Sequence, residues 1–155
     1  MTKPPSQRLA ELGIVLPTVV LPAGSYLPYA RTGNLVYTAG QLPMVDGELP
    51  ATGKVGADVD PVDANRFARQ SALNILAAVD AAVGIDNVVR VVKVVGFVAS
   101  APGFNGQPSV INGASDLFAE VFGEAGRHAR SAVGVSELPL NAPVEVEAII
   151  EVAAS

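Results

Sequence analysis

The stretch from Val88 to Ala99 constrains the fold more than any other part of the chain. It is almost wholly apolar and β-branched, and only Arg90, Lys93 and Gly96 interrupt it. Branched apolar side chains favour extended backbone, and a run without polar alternation is typical of an interior strand covered on both faces. The chain must therefore build a sheet around this strand and supply other elements to cover it.

Two amphipathic helices flank this strand in the sequence. Asp60 and Pro61 begin the first helix as its N-cap and first helical residue, and Gly84 ends it after one continuous apolar stripe. The second helix is predicted from about Pro108 to Phe122. Because each helix has one apolar side, we expect both to cover the same face of the sheet.

Four further strands complete the predicted sheet. They fall at residues 26–31, 34–39, 131–136 and 143–152, with a short helix at 7–12 that Ser6 caps and an irregular loop at 43–58. The order is β-β-α-β-α-β-β, which predicts an α+β fold. In the last strand we expect the apolar side chains to lie under the helices, and the alternating row that contains Glu145 and Glu147 to face solvent or a subunit interface.

The composition excludes several classes of function. A length of 155 residues fits one domain, and a net charge of −5 with scattered Lys and Arg argues against nucleic acid as a partner. The chain has no cysteine and a single histidine, His128, so it lacks the residues for a thiolate or histidine-rich metal site. With no bilayer-length apolar run and no signal-peptide core, we expect a soluble cytoplasmic protein without membrane partners. Half of the residues are hydrophobic, which favours apolar surface buried between subunits.

Arg130, Glu145 and Glu147 are ionised side chains in or beside apolar strands. Such charges are costly unless they are paired or used. The residues alone leave two interpretations open. One is a structural salt bridge between Arg130 and a glutamate, and the other is a small-molecule site in which the guanidinium binds a carboxylate. His128, two residues before Arg130, is expected at the rim of such a site or in a hydrogen bond.

An ordered set of motifs resembles the RidA (YjgF) family and covers about residues 23–152. The motifs are Gly24-Ser25-Tyr26, Gly33-Asn34, Thr38-Ala39-Gly40-Gln41-Leu42-Pro43, Asn112, Ala129-Arg130-Ser131-Ala132-Val133-Gly134-Val135 and Val144-Glu145-Val146-Glu147-Ala148. The resemblance implies a chorismate mutase-like α+β fold, with a mixed sheet, two helices on one face, and a homotrimer with pockets between subunits. It also divides the chain into an N-terminal extension, residues 1–22, and a RidA-like domain, residues 23–155.

The resemblance further implies a 2-iminobutanoate/2-iminopropanoate deaminase. Such enzymes hydrolyse reactive enamines and imines to 2-keto acids and ammonia, and they need no metal or cofactor. By position, Arg130 would hold the carboxylate of the 2-imino or 2-keto acid, and Glu145 would orient or activate water. These residue types suit the reaction, because a guanidinium binds a carboxylate through two parallel hydrogen bonds and a carboxyl group can carry a proton.

The resemblance assigns four further residues to substrate binding. They are Tyr26, Asn112, the backbone of Gly40, and Ala132. Ala132 stands where many members have cysteine, so its contact would come from the backbone amide, and Ala39 stands where many have serine. These departures keep a second possibility open, a non-catalytic trimer that binds small carboxylates. The ribonuclease activity that is also attached to the family is disfavoured by the acidic composition.

Overall fold

The computed structural model describes residues 2–19, 22 and 24–155, and its centre is a five-stranded mixed sheet. The strands are β1 (Tyr29–Thr32), β2 (Leu35–Thr38), β3 (Val88–Ala99), β4 (Ala129–Val135) and β5 (Val144–Val152). Their order across the sheet is β1-β2-β5-β3-β4. Strands β3 and β4 run parallel, whereas the other neighbours run antiparallel. The predicted α+β fold with a mixed sheet is confirmed.

Three helices accompany the sheet. They are α1 (Pro5–Glu11), α2 (Pro61–Val83) and α3 (Gln107–Phe122). Helix α2 begins as predicted, because the Asp60 side chain accepts a hydrogen bond from the Val62 N–H at 2.8 Å and Pro61 follows the cap. Helix α2 packs mainly on β5, and α3 packs on β3 and β4, the parallel pair that it connects. No helix in the described ranges is long and apolar enough to cross a membrane.

A close helix contact fixes α3 in place. A methyl group at Gly113 would overlap the carbonyl oxygen of Asn65 on α2, so only glycine fits here. The side-chain amide of Asn65 also donates to the carbonyl of Ser109 at 2.8 Å. Leu9 of α1 lies in the same core as these helices, and the domain boundary at residue 22 stays a prediction.

The two faces of the sheet differ sharply. Along β5 every second residue from Val144 to Val152 is buried under the helices, as predicted. The remaining β5 side chains are half-buried on the opposite face, which we call the open face. By register the open face contains Val95, Phe97, Ser131, Val133, Glu145, Glu147 and Ile149.

Strand β3 is an interior strand, as predicted. Its helix face is buried, whereas Val95 and Phe97 on the open face are only half-buried. Phe97 and Val133 are level neighbours on the open face, and Val133 is 43% exposed. The prediction of two covered faces is therefore wrong for the single chain. Apolar strand side chains left partly exposed in this way are typical of a surface that a partner covers.

Two local predictions near the N-terminus are also wrong. The first strand begins at Tyr29 rather than at residue 26, because Pro28 has no N–H to donate to a strand ladder. The first helix begins at Pro5 and Ser6 does not cap it. The Ser6 hydroxyl instead donates to Asp86 at 2.6 Å, which ties α1 to the turn after α2.

Candidate functional site

Arg130 projects from β4 toward the helices. Strand β4 begins at Ala129, slightly earlier than predicted, so Arg130 lies inside the strand and is level with Val94 of β3. Val94 is fully buried under the helices, and level residues of paired strands share a face. On that side Nη1 of Arg130 donates to Oδ1 of Asn112 at 2.7 Å and to Oγ of Ser115 at 3.1 Å. Helix α3 therefore supplies both acceptors that hold the guanidinium.

His128 extends this hydrogen-bond chain. Its Nδ1 lies 2.7 Å from the carbonyl oxygen of Gly126, which can only accept, so the hydrogen-bond partners assign the proton to Nδ1. Its Nε2 then accepts from the Ser115 hydroxyl at 2.9 Å. Burial lowers the pKa of His128 and so does the charge of Arg130, although the hydrogen bond to Gly126 opposes both. The hydrogen-bonding role expected for His128 is confirmed.

A broad cavity of about 770 Å³ opens beside this cluster. Arg130, His128 and Ser115 line it together with Asp116, Glu124 and Arg127. Arg127 pairs with Glu124 at 3.5 Å, whereas Arg130 makes no ion pair with any residue that the structure describes. We call Asn112, Ser115, His128 and Arg130 the arginine cluster.

Glu145 lies elsewhere, on the open face of β5. It is level with Phe97 of β3, and its chain neighbours Val144 and Val146 are buried on the helix side. Arg130 and Glu145 therefore point to opposite faces of the sheet. The salt-bridge interpretation of Arg130 is wrong within one chain.

Gly40 shapes the surroundings of Glu145. The backbones of Gln41 and Val146 form two hydrogen bonds, with N···O distances of 2.8 and 3.0 Å. This pairing brings Gly40 against the Glu145 side chain. A methyl group at Gly40 would overlap the Glu145 carboxylate. A residue other than glycine here would force the Glu145 carboxylate to move.

A small cavity of about 230 Å³ adjoins this carboxylate. Its lining is mainly apolar and contains Pro22, Tyr26, Pro28, Leu42, Met44, Pro139 and Leu140 as well as Gly40 and Glu145. Burial raises the pKa of Glu145, and the charge of Glu147 on the same face raises it further. Glu145 can thus hold a proton to higher pH than an ordinary carboxyl group, which suits a group that takes up and returns protons. We call this site the glutamate pocket.

The six residues assigned by sequence thus fall into two sets. Arg130 and Asn112 touch each other in the arginine cluster, and Ala132 follows on the same face of β4, packed partly against the core. Tyr26, 54% exposed, and Gly40 line the glutamate pocket with Glu145. A single chain does not bring the two sets together.

Two parts of the site were not predicted from the sequence. They are Ser115, which links Arg130 to His128, and the apolar lining from residues 139–140. A serine on an amphipathic helix gives no signal of such a role. Leu140 enters the glutamate pocket from a turn in which it and Asn141 both have φ near 59°. Residues other than glycine rarely adopt this backbone conformation, and nothing in the local sequence predicts it.

Comparisons with known proteins agree on one family. The profile described as "YjgF/chorismate mutase-like, putative endoribonuclease" matches residues 6–152. Protein TCP17 of Trypanosoma cruzi is 46% identical over 145 residues, which cover 92% of this chain and 91% of that protein. The 2-iminobutanoate/2-iminopropanoate deaminase of Escherichia coli is 37% identical over 128 residues, 81% of this chain and 86% of the enzyme. The crystal structure of Atu1372 from Agrobacterium tumefaciens, of unknown function, superposes with a TM-score of 0.88 at 51% identity and covers 96% of this chain and 92% of that one.

Proposed function

The chain belongs to the YjgF/chorismate mutase-like family, and on that premise we propose that it is a deaminase of small 2-imino acids. The reaction converts an imine and water into a 2-keto acid and ammonia. The name of the Escherichia coli relative supports this reaction class. The observation that carries the proposal is the position of the Arg130 guanidinium. Two side-chain acceptors hold it on one side, and no carboxylate among the described residues pairs with it.

Arg130 is suited to bind the substrate carboxylate. Asn112 and Ser115 both accept from Nη1, whereas Nε and Nη2 have no acceptor among the described residues. Those two groups form one edge of the guanidinium fork, and this edge matches a carboxylate through two parallel hydrogen bonds. A 2-imino acid carries the required carboxylate next to its reactive carbon.

Glu145 is suited to handle the water and its protons. In the proposed reaction the Glu145 carboxylate takes a proton from water as the oxygen bonds to the imine carbon. The resulting carboxyl group returns that proton to the nitrogen, which gives a carbinolamine. The carboxylate then takes the hydroxyl proton and passes it to the amino nitrogen, the C–N bond breaks as the carbonyl forms, and ammonia leaves. The raised pKa of Glu145 brings its protonated and ionised forms closer in free energy near neutral pH, which favours both transfers.

We propose that the site is completed between copies of the chain in a homotrimer. Arg130 and Glu145 lie on opposite faces of one sheet, so both can act on one small substrate only if they come from different copies. The half-buried apolar side chains of the open face support this assembly, because a second copy would cover them.

The direct test adds the purified protein to a dehydratase that generates 2-aminoacrylate and follows the release of ammonia and keto acid. We expect faster release with the wild-type protein and no acceleration with Arg130→Ala. A correctly assembled wild-type protein that gives no acceleration would refute the deaminase proposal. Calorimetry with a small 2-keto acid distinguishes the deaminase from the alternative, a non-catalytic protein that binds small carboxylates. Tight binding without turnover would identify the binding protein.

A further inference from the structure

Ser115 and His128 have no role in the proposed reaction, yet they form a continuous hydrogen-bond chain that ends on Arg130. The carbonyl of Gly126 accepts from Nδ1 of His128, Nε2 of His128 accepts from Ser115, and Ser115 accepts from Arg130. We propose that Ser115 and His128 are positioning residues that fix the orientation of the Arg130 guanidinium, so that its Nε and Nη2 face a substrate carboxylate. This inference rests on the proposed function for its substrate, but not for its geometry.

The chain has a fixed direction because each member has limited hydrogen-bonding capacity. The Ser115 hydroxyl has one proton, and donating it to Nε2 of His128 leaves a lone pair for Arg130. Nη1 of Arg130 donates its second hydrogen bond to Oδ1 of Asn112 at 2.7 Å. With two acceptors on one NH₂ group, the planar guanidinium cannot rotate freely.

The surrounding packing makes the chain rigid. Asn112 and Ser115 are three residues apart on α3, so they share one helix face. The backbone at Gly126 lies close to α3, and a side chain at this position would overlap the carbonyl oxygen of Phe118. The His128 ring meets the Phe118 ring edge to face at 5.8 Å.

Other charged groups face the same cavity but do not join the chain. They are Asp116 on α3 and Glu124 and Arg127 in the turn before β4, and Arg127 pairs with Glu124. His128 must be neutral for Nε2 to accept, and its lowered pKa is consistent with that requirement. Substitutions at Ser115 and His128 therefore test the chain without removing a cavity charge at neutral pH.

The kinetic test compares matched pairs of variants. Ser115→Ala removes the shared hydroxyl and Ser115→Thr keeps it. His128→Phe keeps a ring against Phe118 without an acceptor, and His128→Gln keeps an acceptor. We expect Ser115→Ala and His128→Phe each to raise KM roughly five- to tenfold with little change in kcat, since each removes a hydrogen bond that orients a charged group. The Thr and Gln variants should recover most of the loss, and Ser109→Ala, on the exposed side of α3, should behave as wild type.

A second measurement needs no substrate. In ¹⁵N NMR of the full-length protein at neutral pH, we expect His128 to carry its proton on Nδ1, and Arg130 to give separate Nη1 and Nη2 signals. Ser115→Ala should merge those two signals through faster rotation, and Ser115→Thr should not. A proton on Nε2 of His128, or Arg130 signals that Ser115→Ala leaves unchanged, would overturn the positioning role.

The two proposals fail in different ways. A wild-type protein that neither binds nor turns over small 2-imino or 2-keto acids refutes the proposed function, whatever the NMR signals are. Normal turnover combined with an unchanged KM in Ser115→Ala and His128→Phe refutes the positioning role alone. Melting temperatures close to wild type in all variants confirm that the comparison concerns folded protein.

Discussion

The arginine cluster and the glutamate pocket are opposite in construction. The cluster lies at the edge of the sheet beside a broad cavity, and its polar side chains are joined through hydrogen bonds. The pocket is smaller and mainly apolar, and in the described part of the chain the Glu145 carboxylate accepts no hydrogen bond. One region is therefore organised to hold a charged group in a fixed direction, and the other to raise the pKa of a carboxyl group. Each lacks what the other supplies.

Removing the cation of the arginine cluster should have the largest effect, because it should abolish turnover as well as weaken binding. Arg130→Ala should weaken binding of a small 2-keto acid roughly 100-fold or more, because two charge-assisted hydrogen bonds are lost. Isothermal calorimetry measures the change directly. Arg127→Ala is the matched control, since Arg127 lines the same cavity but is exposed and paired with Glu124. Equal losses in the two variants would contradict a specific role for Arg130.

Removing the carboxyl group of the glutamate pocket should affect turnover rather than binding. Glu145→Gln should lower kcat by roughly 10²- to 10⁴-fold, the usual contribution of general acid–base catalysis, while keto-acid affinity changes little. Glu147→Gln is the control on the same face. It should retain turnover and shift the ascending limb of the pH–rate profile to lower pH, because the charge of Glu147 raises the pKa of Glu145. Loss of keto-acid affinity in Glu145→Gln would contradict this division, because it would show that the glutamate pocket also binds the substrate carboxylate.

Filling the space at Gly40 should disturb the glutamate pocket alone. Gly40→Ala should lower kcat and destabilise the fold by only about 1 kcal/mol, because the added methyl group displaces the Glu145 carboxylate, which is the flexible end of its side chain. Most of the stability loss should disappear when Gly40→Ala is combined with Glu145→Ala. Denaturant unfolding of the single and double variants measures this coupling, and strictly additive losses would show that the methyl group clashes with something else.

The smallest expected effect concerns stability and pH. The pKa of Glu145 is raised in the folded chain, first by burial and then by Glu147, so the protonated carboxyl stabilises the fold. That contribution is complete below the ordinary pKa of 4.5 and is lost as the pH rises through the higher folded value. Glu145→Gln, which is always neutral, should melt about 1–3 °C above wild type at neutral pH and at the same temperature in acid. Equal melting temperatures of the variant and the wild type at neutral pH would contradict this effect of Glu145.

Much of the fold follows from local patterns in the sequence. The caps of α2 and the alternation of β5 are read directly from residues such as Asp60, Pro61 and Val144. The start of β1 could also have been read locally, from Pro28, but the other errors arose where a contact distant in sequence decides the outcome. Ser6 binds Asp86 instead of capping its own helix, and the half-buried face of β3 needs a partner that no local pattern can supply.

The sequence selects candidate residues for the site but does not predict their arrangement. Motif order selected Arg130 and Glu145, because their types and spacing are specific. The face on which each lies depends on the pairing of Arg130 with Val94 and of Glu145 with Phe97, which are contacts between distant segments. Ser115 meets His128 only because α3 packs beside β4, so the hydrogen-bond chain left no pattern in the sequence.

Subunit complementation tests the central claim, that Arg130 and Glu145 act together only across copies. Arg130→Ala and Glu145→Gln are each expected to be inactive, and the two proteins are unfolded together and reassembled in equal amounts. Random mixing gives an intact arginine to half of the sites and an intact glutamate to half of those, so activity should return to about one quarter of the reassembled wild type. Reassembled mixtures that stay as inactive as the separate variants would show that one chain supplies both residues, and would contradict the account.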